Sequence, residues 1–422
     1  MKKMIAIVLC IILTLTMIGC SGGAAGTDTA DADTQTENAA GDQTEDAAGE
    51  SETSGADESG TEDAAADNAV SETVSTDPVK LGVIFYSKDD SLGQLVYSYL
   101  NYAAEVIENL EIQWVFGSYD AASQVADAEN LIAAGVDGIM CLTLDDLAMQ
   151  QIANLCNENE VYFQVMFRMP SEEETKAVLD TYEYYVGYAI EDTENTSYET
   201  VRIMADRGIE KIGVGGNTHS ATSTLRMNGM EKGCEDFNIE VLAQFDLGND
   251  VSSIQSDVQN ILDSYSDVEA IWLMSGSLGI ADITVNTLKA HQDATGKTVG
   301  VVTFDTFEGM AAAFEDDILW GAVGGQAPLC LQAFAALYNA VDGHPLSDEK
   351  VELLFPFLVL TDSEDLDLFE QYYNNTEVQI YDEELIKSML YRYNPDVSLD
   401  LLKDLSASYS MDWIKEEINS RN

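Results

Sequence analysis

The segment KLGVIFYSKDDSLGQLVYSYLNYAAEVIENLEIQWVF, residues 80–116, decides the fold. A short apolar run at 80–86 precedes a longer stretch at 92–110 with apolar residues three to four positions apart, and a second apolar run follows at 112–116. Short apolar runs are typical of buried strands, and the longer spacing is typical of an amphipathic helix. The segment therefore predicts a strand–helix–strand unit of a parallel sheet.

The same alternation continues along the chain and predicts an α/β fold. Further strands are predicted at 138–141, 161–166, 211–215, 241–245, 270–274, 299–304 and 321–323. Further helices are predicted at 121–134, 144–157, 193–207, 225–237, 251–265, 280–291 and 329–341. We expect two open parallel sheets rather than one very wide sheet, with ligands bound at the carboxyl ends of the strands.

The amino terminus has the pattern of a secretion signal. Lys2 and Lys3 precede an apolar run at 4–18, which Gly19 and Cys20 follow at once. This pattern predicts a signal peptide over residues 1–20. Residues 17–20, Met-Ile-Gly-Cys, resemble a bacterial lipobox, which implies that Cys20 is acylated and anchors the protein to the cell membrane. An ordinary signal peptide with an incidental cysteine is the alternative.

Residues 21–77 contain no Lys, no Arg and no aromatic residue. Such a segment buries too little apolar surface to fold, and its like charges repel one another. We interpret it as an extended acidic tether. Binding of cations or basic partners is the alternative interpretation.

Charge and motifs exclude several functions. The 422 residues carry 76 Asp and Glu against 19 Lys and Arg, a formal net charge of -57, which excludes phosphate-backbone binding and hence nucleic acid. No HxH, HExxH or GxGxxG motif is present, and no predicted strand leads into a GxSxG elbow, so we expect no metal, no cofactor and no enzyme activity. The four cysteines beyond residue 20 lack zinc-like spacing, so buried free thiols are predicted, with a disulfide as the alternative.

Several segments resemble one known family. DAASQ at 120–124 and LIAAGVDGIM at 131–140 resemble the first lobe of the type I periplasmic sugar-binding proteins, the ribose- and galactose-binding group. Residues 218–229, VVTFD at 301–305 and GGQAP at 324–328 resemble parts of its second lobe. The resemblance covers about residues 79–360, and the order of the segments makes it specific.

The resemblance implies two Rossmann-like lobes joined by three crossovers, with the ligand between them. The amino-terminal lobe would comprise residues 78–187 and 327–355, and the carboxy-terminal lobe residues 188–326 and 356–363. Residues 364–422 would form a helical extension that packs on a lobe and has no assigned role.

The resemblance also implies the residues of the binding site. The positions that it matches, together with the best polar candidate in the loop after the first strand, are Asp90, Arg168, Arg226, Asn249, Ser275, Asp305 and Gln326. A carboxylate accepts hydrogen bonds from sugar hydroxyls, and a guanidinium donates a fork of them. The alternatives are that the arginines pair with surface carboxylates and that Asp305 caps a helix.

One departure from the family pattern concerns the apolar part of the site. Phe167 stands where the family often has aspartate, which favours a partly apolar ligand. Phe85, Tyr86, Phe167 and Trp272 are candidates for an aromatic platform, although core packing is the commoner role of such residues.

The resemblance implies an extracytoplasmic, monomeric binding protein that closes on a small polar solute, a sugar, and delivers it to the permease of an ABC importer. A sensory module for a receptor kinase and a surface enzyme of the same ancestry are the alternatives. A repressor of the related fold is disfavoured, because a signal stands where a basic DNA-binding helix would be needed.

Overall fold

The computed structural model describes residues 78–248 and 251–421. The predicted signal peptide with its lipidation site Cys20, the predicted tether and the ligand candidate Asn249 lie outside the described residues. Everything below concerns the described part of the chain.

The first sheet has six parallel strands. In chain numbering they are β1 Val79–Phe85, β2 Leu110–Phe116, β3 Gly138–Cys141, β4 Tyr162–Met166, β5 Tyr185–Glu191 and β11 Val351–Phe355. Their spatial order is β11-β5-β4-β3-β1-β2. The predicted strand–helix–strand unit is present, since β1 pairs with β2 in parallel from Val79 opposite Leu110 to Phe85 opposite Phe116.

The second sheet also has six strands. They are β6 Lys211–Gly215, β7 Glu240–Phe245, β8 Ala270–Leu273, β9 Gly300–Phe304, β10 Leu319–Gly324 and β12 Leu358–Leu360, in the order β12-β10-β9-β8-β6-β7. All neighbours are parallel except β12, which runs antiparallel to β10 at the edge. The predicted α/β class with two parallel-dominated sheets is confirmed.

Helices cover both sheets. Those of the first lobe are α1 Ser91–Val106, α2 Ala121–Ala133, α3 Asp146–Glu158, α4 Glu173–Leu179 and α10 Leu329–Val341. Those of the second lobe are α5 Thr193–Asp206, α6 Ala221–Phe237, α7 Ile254–Ser264, α8 Ile280–Thr295 and α9 Met310–Glu315. Side chains of Asp or Ser accept hydrogen bonds from the first turns of α1, α2, α3, α5 and α6, which fixes where these helices begin.

The chain passes between the two sheets three times. The crossovers follow β5, join β10 to α10 through residues 325–328, and join β11 to β12 through residues 356–357. The first and third are hydrogen-bonded to each other, because Asp192 N donates to Phe355 O at 2.8 Å. The predicted lobe boundary after residue 187 is wrong by four residues. β5 pairs as a whole with β4 and β11, so residues 188–191 belong to the first sheet.

Helix α10 lies at the centre of the first lobe. Every residue from Leu329 to Ala340 is buried, because the first sheet covers one side of the helix while α1 and the carboxy-terminal segment cover the others. Asn339 is fully buried and is satisfied by that segment: its Nδ2 donates to Met389 O at 2.9 Å, and its Oδ1 accepts from Tyr391 N at 2.7 Å.

The carboxy-terminal extension, residues 364–421 of the described chain, is largely helical, as expected. Its elements are α11 Ser363–Leu368, a π-helical turn Phe369–Tyr373, α12 Glu383–Ser388, α13 Leu399–Ser408 and α14 Met411–Ser420. It contacts both lobes rather than one, because α12 and α13 pack on α1 and β11 while α11 and α14 pack on α9 and β12.

The four cysteines of the described chain, Cys141, Cys156, Cys234 and Cys330, are buried and unpaired, in agreement with the predicted free thiols.

Among residues 78–248 and 251–421, none of the helices combines the length and apolar content that crossing a bilayer requires. Within the same ranges, no cluster of three or more His, Cys, Asp or Glu residues is arranged to hold a metal ion.

Candidate functional site

Polar side chains follow the carboxyl ends of strands in both sheets. Arg168 comes two residues after β4, and Glu191 ends β5. In the second lobe, Ser275 follows β8 and Asp305 follows β9. The chain also places Gln326 in the crossover after β10. Because parallel strands end at the same edge of a sheet, these side chains can meet a ligand lying between the lobes.

Asp305 and Ser275 form a pair in the second lobe. Asp305 Oδ2 accepts from Ser275 Oγ at 2.7 Å and from the backbone N–H groups of Gly276 and Ser277 at 3.3 and 3.2 Å. Asp305 itself has φ +69°, a left-handed conformation that aspartate tolerates better than most residues. All three bonds use Oδ2, which leaves Oδ1 available to a ligand. The Asp305 carboxylate therefore holds the loop after β8, and no hydrogen bond supports the alternative that it caps the helix that follows it in the chain, α9.

Arg226 lies against the same strand ends. Its guanidinium is 4.0 Å from the ring centre of Phe304, and Nη1 donates to Met274 O at 2.9 Å. Burial lowers the pKa of Arg226, and the charges of Asp305 and Glu191 act in the opposite direction. The arginine makes no ion pair of 4 Å or less with any described carboxylate, so the surface-pairing alternative does not describe it.

Glu191 is a site residue that the sequence reasoning missed. It is partly buried at the end of β5, directly before the first crossover. Burial raises the pKa of Glu191, while the positive charges of Arg168 and Arg226 oppose that rise. The carboxyl group therefore interacts electrostatically with an arginine of each lobe. An acidic residue ending a strand could have indicated it, but β5 was not among the predicted strands.

Arg168 lies on the first-lobe side. Its Nη1 donates to Phe167 O at 2.7 Å, and it has no ion pair with a described carboxylate. Phe167 has φ +59° and is 1% exposed, with its ring edge-on to Phe85 at 6.0 Å. Phe167 is therefore core, and its backbone turn directs the next residue, Arg168, outward.

Of the four aromatic candidates for a ligand platform, only Tyr86 is accessible. Phe85, Phe167 and Trp272 are at most 1% exposed. Tyr86 is partly buried and stacks on Phe85 with ring centres 4.8 Å apart. Burial raises the pKa of Tyr86, and its hydrogen bond to Asp90 raises it further, whereas the charge of Arg168 lowers it.

Asp90 is committed mainly to local structure. Its Oδ1 caps α1 by accepting from Gly93 N at 2.7 Å, and the side chain also bonds the Tyr86 hydroxyl. The structure thus connects Asp90 to Arg168 through Tyr86. Asp90 supports the first-lobe side of the cluster and has less free capacity for a ligand than Asp305.

Gln326 has a free side chain. It is partly buried in the second crossover, and its amide makes no hydrogen bond with a described residue. The preceding Gly325 has φ +85°, and a Cβ there would lie 2.6 Å from Leu358, so only glycine fits. An unpaired amide at a partly buried position is suited to a polar ligand.

A cavity of about 410 Å³ lies beside this cluster and is lined by both lobes. Its lining residues are Thr143, Leu144, Asp145, Asp146, Met149, Arg168, Met169, Ser171, Ile190, Ser220, Ala221, Thr222 and Leu225. Among the predicted site residues only Arg168 lines it. Thr143 was missed by the sequence reasoning: it is 1% exposed, and its buried hydroxyl has no hydrogen-bond partner within the described chain.

Neither histidine of the second lobe, His219 or His291, belongs to a group of described side chains arranged to hold a metal ion. His219 is exposed, and its Nε2 lies 3.9 Å from Asp246 Oδ1. Asn249, the remaining ligand candidate, lies outside the described residues.

Comparisons with known proteins agree with the two-sheet fold. The crystal structure of a periplasmic ribose ABC transporter from Conexibacter woesei matches with a TM-score of 0.56 and 18% identity, over 71% of this chain and 97% of that one. A solute-binding protein of an ABC transporter from Bacillus halodurans, with bound myo-inositol, matches with a TM-score of 0.52 and 18% identity, over 71% and 99%.

A galactofuranose-binding protein matches with a TM-score of 0.54 and 12% identity, over 71% of this chain and 100% of that one. At these identities the likeness concerns the fold.

A comparison with curated proteins gave no significant match. The family model described as a periplasmic binding protein domain matches residues 81–344, more than half of the 422 residues. The chain therefore belongs to the periplasmic binding protein domain family.

Proposed function

We propose that this protein captures a small polyhydroxylated solute, a sugar or a close relative, between its two lobes and delivers it to an ABC importer. The observation that carries the proposal is that Arg168 and Glu191 stand at strand ends of the first lobe while Arg226 in α6 and Asp305 after β9 belong to the second, with the charges of both arginines acting on the partly buried Glu191 carboxyl group. The similar structures with ribose, myo-inositol and galactofuranose in their descriptions support a ligand of this class.

The free groups of the site suit hydroxyl ligands. Each sugar hydroxyl donates one hydrogen bond and accepts others. Asp305 Oδ1 and Glu191 offer acceptors, and the two arginines offer forked donors. The amide of Gln326 offers a donor and an acceptor. A ligand hydroxyl that fails to match costs about 1–3 kcal/mol in a closed cleft, because the buried partner stays unsatisfied. This penalty would give the site its selectivity.

The cavity next to Arg168 is partly apolar. Leu144, Met149, Met169, Ile190 and Leu225 contribute to its wall. A volume of about 410 Å³ is within the usual range for small-molecule sites, about 300–1,000 Å³. We therefore expect the preferred ligand to combine hydroxyl groups with an apolar edge or substituent.

Binding would proceed by closure about the three crossovers. Glu191 lies directly before the first crossover and Gln326 lies in the second, so ligand contacts and hinge geometry involve neighbouring residues. Only a closed arrangement lets groups of both lobes bond one ligand, and the ligand therefore favours that arrangement. Capture alone requires no bond to break, so the protein is proposed to bind without turnover.

The proposal includes the cellular setting. Acylated Cys20 would hold a monomer at the outer face of the cell membrane, close to the permease. Mass spectrometry of the mature protein tests the anchor: a diacylglyceryl group on Cys20 is expected, and an unmodified Cys20 contradicts it. Pull-down from membranes separates delivery from sensing, since a permease is expected and a receptor kinase would favour the sensory alternative.

Isothermal titration against pentoses, hexoses, nucleosides and polyols tests the ligand class. At least one compound is expected to bind with a micromolar or tighter dissociation constant, and Arg168→Ala and Asp305→Ala are each expected to weaken it about tenfold or more. A matched control is Arg207→Ala, because Arg207 makes a surface ion pair with Asp317 at 3.1 Å. Absence of binding across the panel contradicts a sugar ligand, and unchanged binding in both site variants contradicts the site.

A further inference from the structure

The second crossover carries Gln326 between two hydrogen bonds from the carboxy-terminal extension. Tyr409 Oη donates to Gly325 O at 2.7 Å, one residue before Gln326. Ala327 N, one residue after it, donates to Tyr373 Oη at 3.1 Å. Both tyrosines are buried, with 2% and 5% of their surface exposed. The backbone on each side of Gln326 is thus fixed by a phenol group from outside both lobes.

Packing reinforces these two bonds. The ring of Tyr409 lies 4.6 Å from that of Phe355 at the end of β11, in the third crossover. The ring of Tyr373 stacks on Phe369 at 4.5 Å. Gly325 is held from the other side by Leu358 of β12, where a Cβ would clash at 2.6 Å. The crossover is enclosed, and a shift of Gly325 or Ala327 would break a buried hydrogen bond.

The extension is itself fixed to both lobes, so it can serve as a rigid support. On the second lobe, the buried Asp365 accepts from Thr361 N and Oγ1 at 3.0 Å each and from Lys415 Nζ at 2.9 Å. On the first lobe, the backbone of Met389 and Tyr391 bonds the buried Asn339.

We propose that Tyr373 and Tyr409 are positioning residues that hold Gln326 in its ligand-binding orientation, which gives the carboxy-terminal extension a role in affinity. This inference rests on the proposed function, because it takes Gln326 as a ligand contact. Neither tyrosine touches the ligand. Each acts through the backbone beside Gln326, whose side chain has no hydrogen-bond partner in the described chain to orient it.

The proximity of Tyr373 to Glu191 links the same tyrosine to the carboxyl group of the site. Burial raises the pKa of Tyr373 foremost, its bond from Ala327 N lowers it, and the nearby charge of Glu191 raises it. Tyr373 therefore bonds the crossover that carries Gln326 and also interacts electrostatically with Glu191.

The test compares Tyr373→Phe and Tyr409→Phe with Tyr381→Phe in the full chain. Tyr381 is a matched control, because it is fully buried in the same group of tyrosines and its hydroxyl makes no hydrogen bond to the crossover. Amide hydrogen exchange without ligand is the first readout. Both test variants are expected to speed exchange at residues 325–329 about tenfold, with Tyr381→Phe within about twofold of wild type.

Titration with the sugar that binds most tightly is the second readout. Each test variant is expected to raise the dissociation constant about tenfold in the wild-type background and less than about twofold in a Gln326→Ala background, because the tyrosines act through Gln326. Equal exchange rates at the crossover in all three variants overturn the inference. It is also overturned if Tyr373→Phe and Tyr409→Phe lower the affinity as much in the Gln326→Ala background as in the wild-type background. If no sugar binds, the proposed function fails, whereas the exchange comparison still decides whether the tyrosines hold the crossover.

Discussion

Substitution of Asp305 offers the most quantitative check on the second-lobe half of the site. Asp305→Ala removes the acceptor of three hydrogen bonds and places alanine at φ +69°. A hydrogen bond to a charged group contributes about 1.5–3 kcal/mol, and only the 2.7 Å bond from Ser275 is short. Because Asp305 is partly exposed, we expect about 2–3 kcal/mol from all three bonds together.

The backbone conformation adds a second, separable effect. A left-handed φ costs an alanine roughly 1 kcal/mol relative to glycine or asparagine. We therefore expect losses in the free energy of unfolding of about 3–4 kcal/mol for Asp305→Ala, about 2–3 for Asp305→Gly and about 1 for Asp305→Asn, which keeps an acceptor oxygen. If the loss increases in the order Asn, Gly, Ala, the step from Asn to Gly measures the lost hydrogen bonds and the step from Gly to Ala measures the backbone strain.

Urea denaturation followed by tryptophan fluorescence measures these losses. Trp272 is fully buried in the second lobe, 6.3 Å from the ring of Phe304, and so reports on the relevant lobe. Asp317→Ala is the matched control, because Asp317 has φ +54° but its carboxylate is exposed and bonds only Arg207. It should cost only about 1 kcal/mol. The reasoning is refuted if Asp305→Ala costs no more than this control, or if Asp305→Asn is as unstable as Asp305→Ala.

Three further substitutions probe other features. Burial raises the pKa of Glu191 in the folded state, so the native protein binds its proton more tightly and loses stability as pH rises above the unfolded value. The stability advantage of Glu191→Gln over wild type should therefore grow as the pH rises from 4 to 7. Thermal melts in which the difference between the two melting temperatures stays the same across this pH range would contradict this prediction. Gly187→Ala places a Cβ 2.0 Å from Val351 O at φ +148° and should cost roughly 2–4 kcal/mol in urea denaturation by separating β5 from β11. The control is Gly208→Ala, where φ is +77° but an added Cβ would meet no atom within 4 Å, and it should lower the free energy of unfolding by only about 1 kcal/mol. Arg392→Met leaves Asp342 without its partner in an ion pair whose side chains are 7% and 9% exposed, so a loss of about 3–5 kcal/mol is expected, and adding Asp342→Asn should recover part of it.

The sequence allowed the layered fold to be predicted because its strands and helices have strong, regular apolar spacing. The strands that it missed, β5, β11 and β12, lie at the edges of their sheets or next to the crossovers, and they carry exposed or half-buried positions among the apolar ones or are only three residues long. That is why the lobe boundary was placed four residues early. Helices α4 and α9, with seven and six residues, were too short to show the helical spacing of apolar residues.

The site positions were predicted through the family resemblance, which supplied Arg226 at a helix start as well as residues that follow a recognisable strand. Arg168, Ser275 and Asp305 follow strands that the apolar runs indicated. Glu191 depends on a strand that was not predicted, and Thr143 shows its role only through an unpaired buried hydroxyl. The contacts of Tyr373 and Tyr409 with the second crossover join residues far apart in the chain, and no local pattern could indicate them.

The central claim is that a ligand draws the two lobes together. Distance measurement between spin labels at Leu147→Cys and Leu278→Cys tests it most directly, because these positions lie beyond strand ends of opposite lobes and are 59% and 70% exposed. The four cysteines of the described chain are buried, and Cys10→Ser with Cys20→Ser removes the other two thiols. A saturating sugar from the titration should shorten the mean distance between the labels, and Asp305→Ala should raise the sugar concentration needed for that shift about tenfold or more. A sugar that binds while the distance stays unchanged would contradict the account.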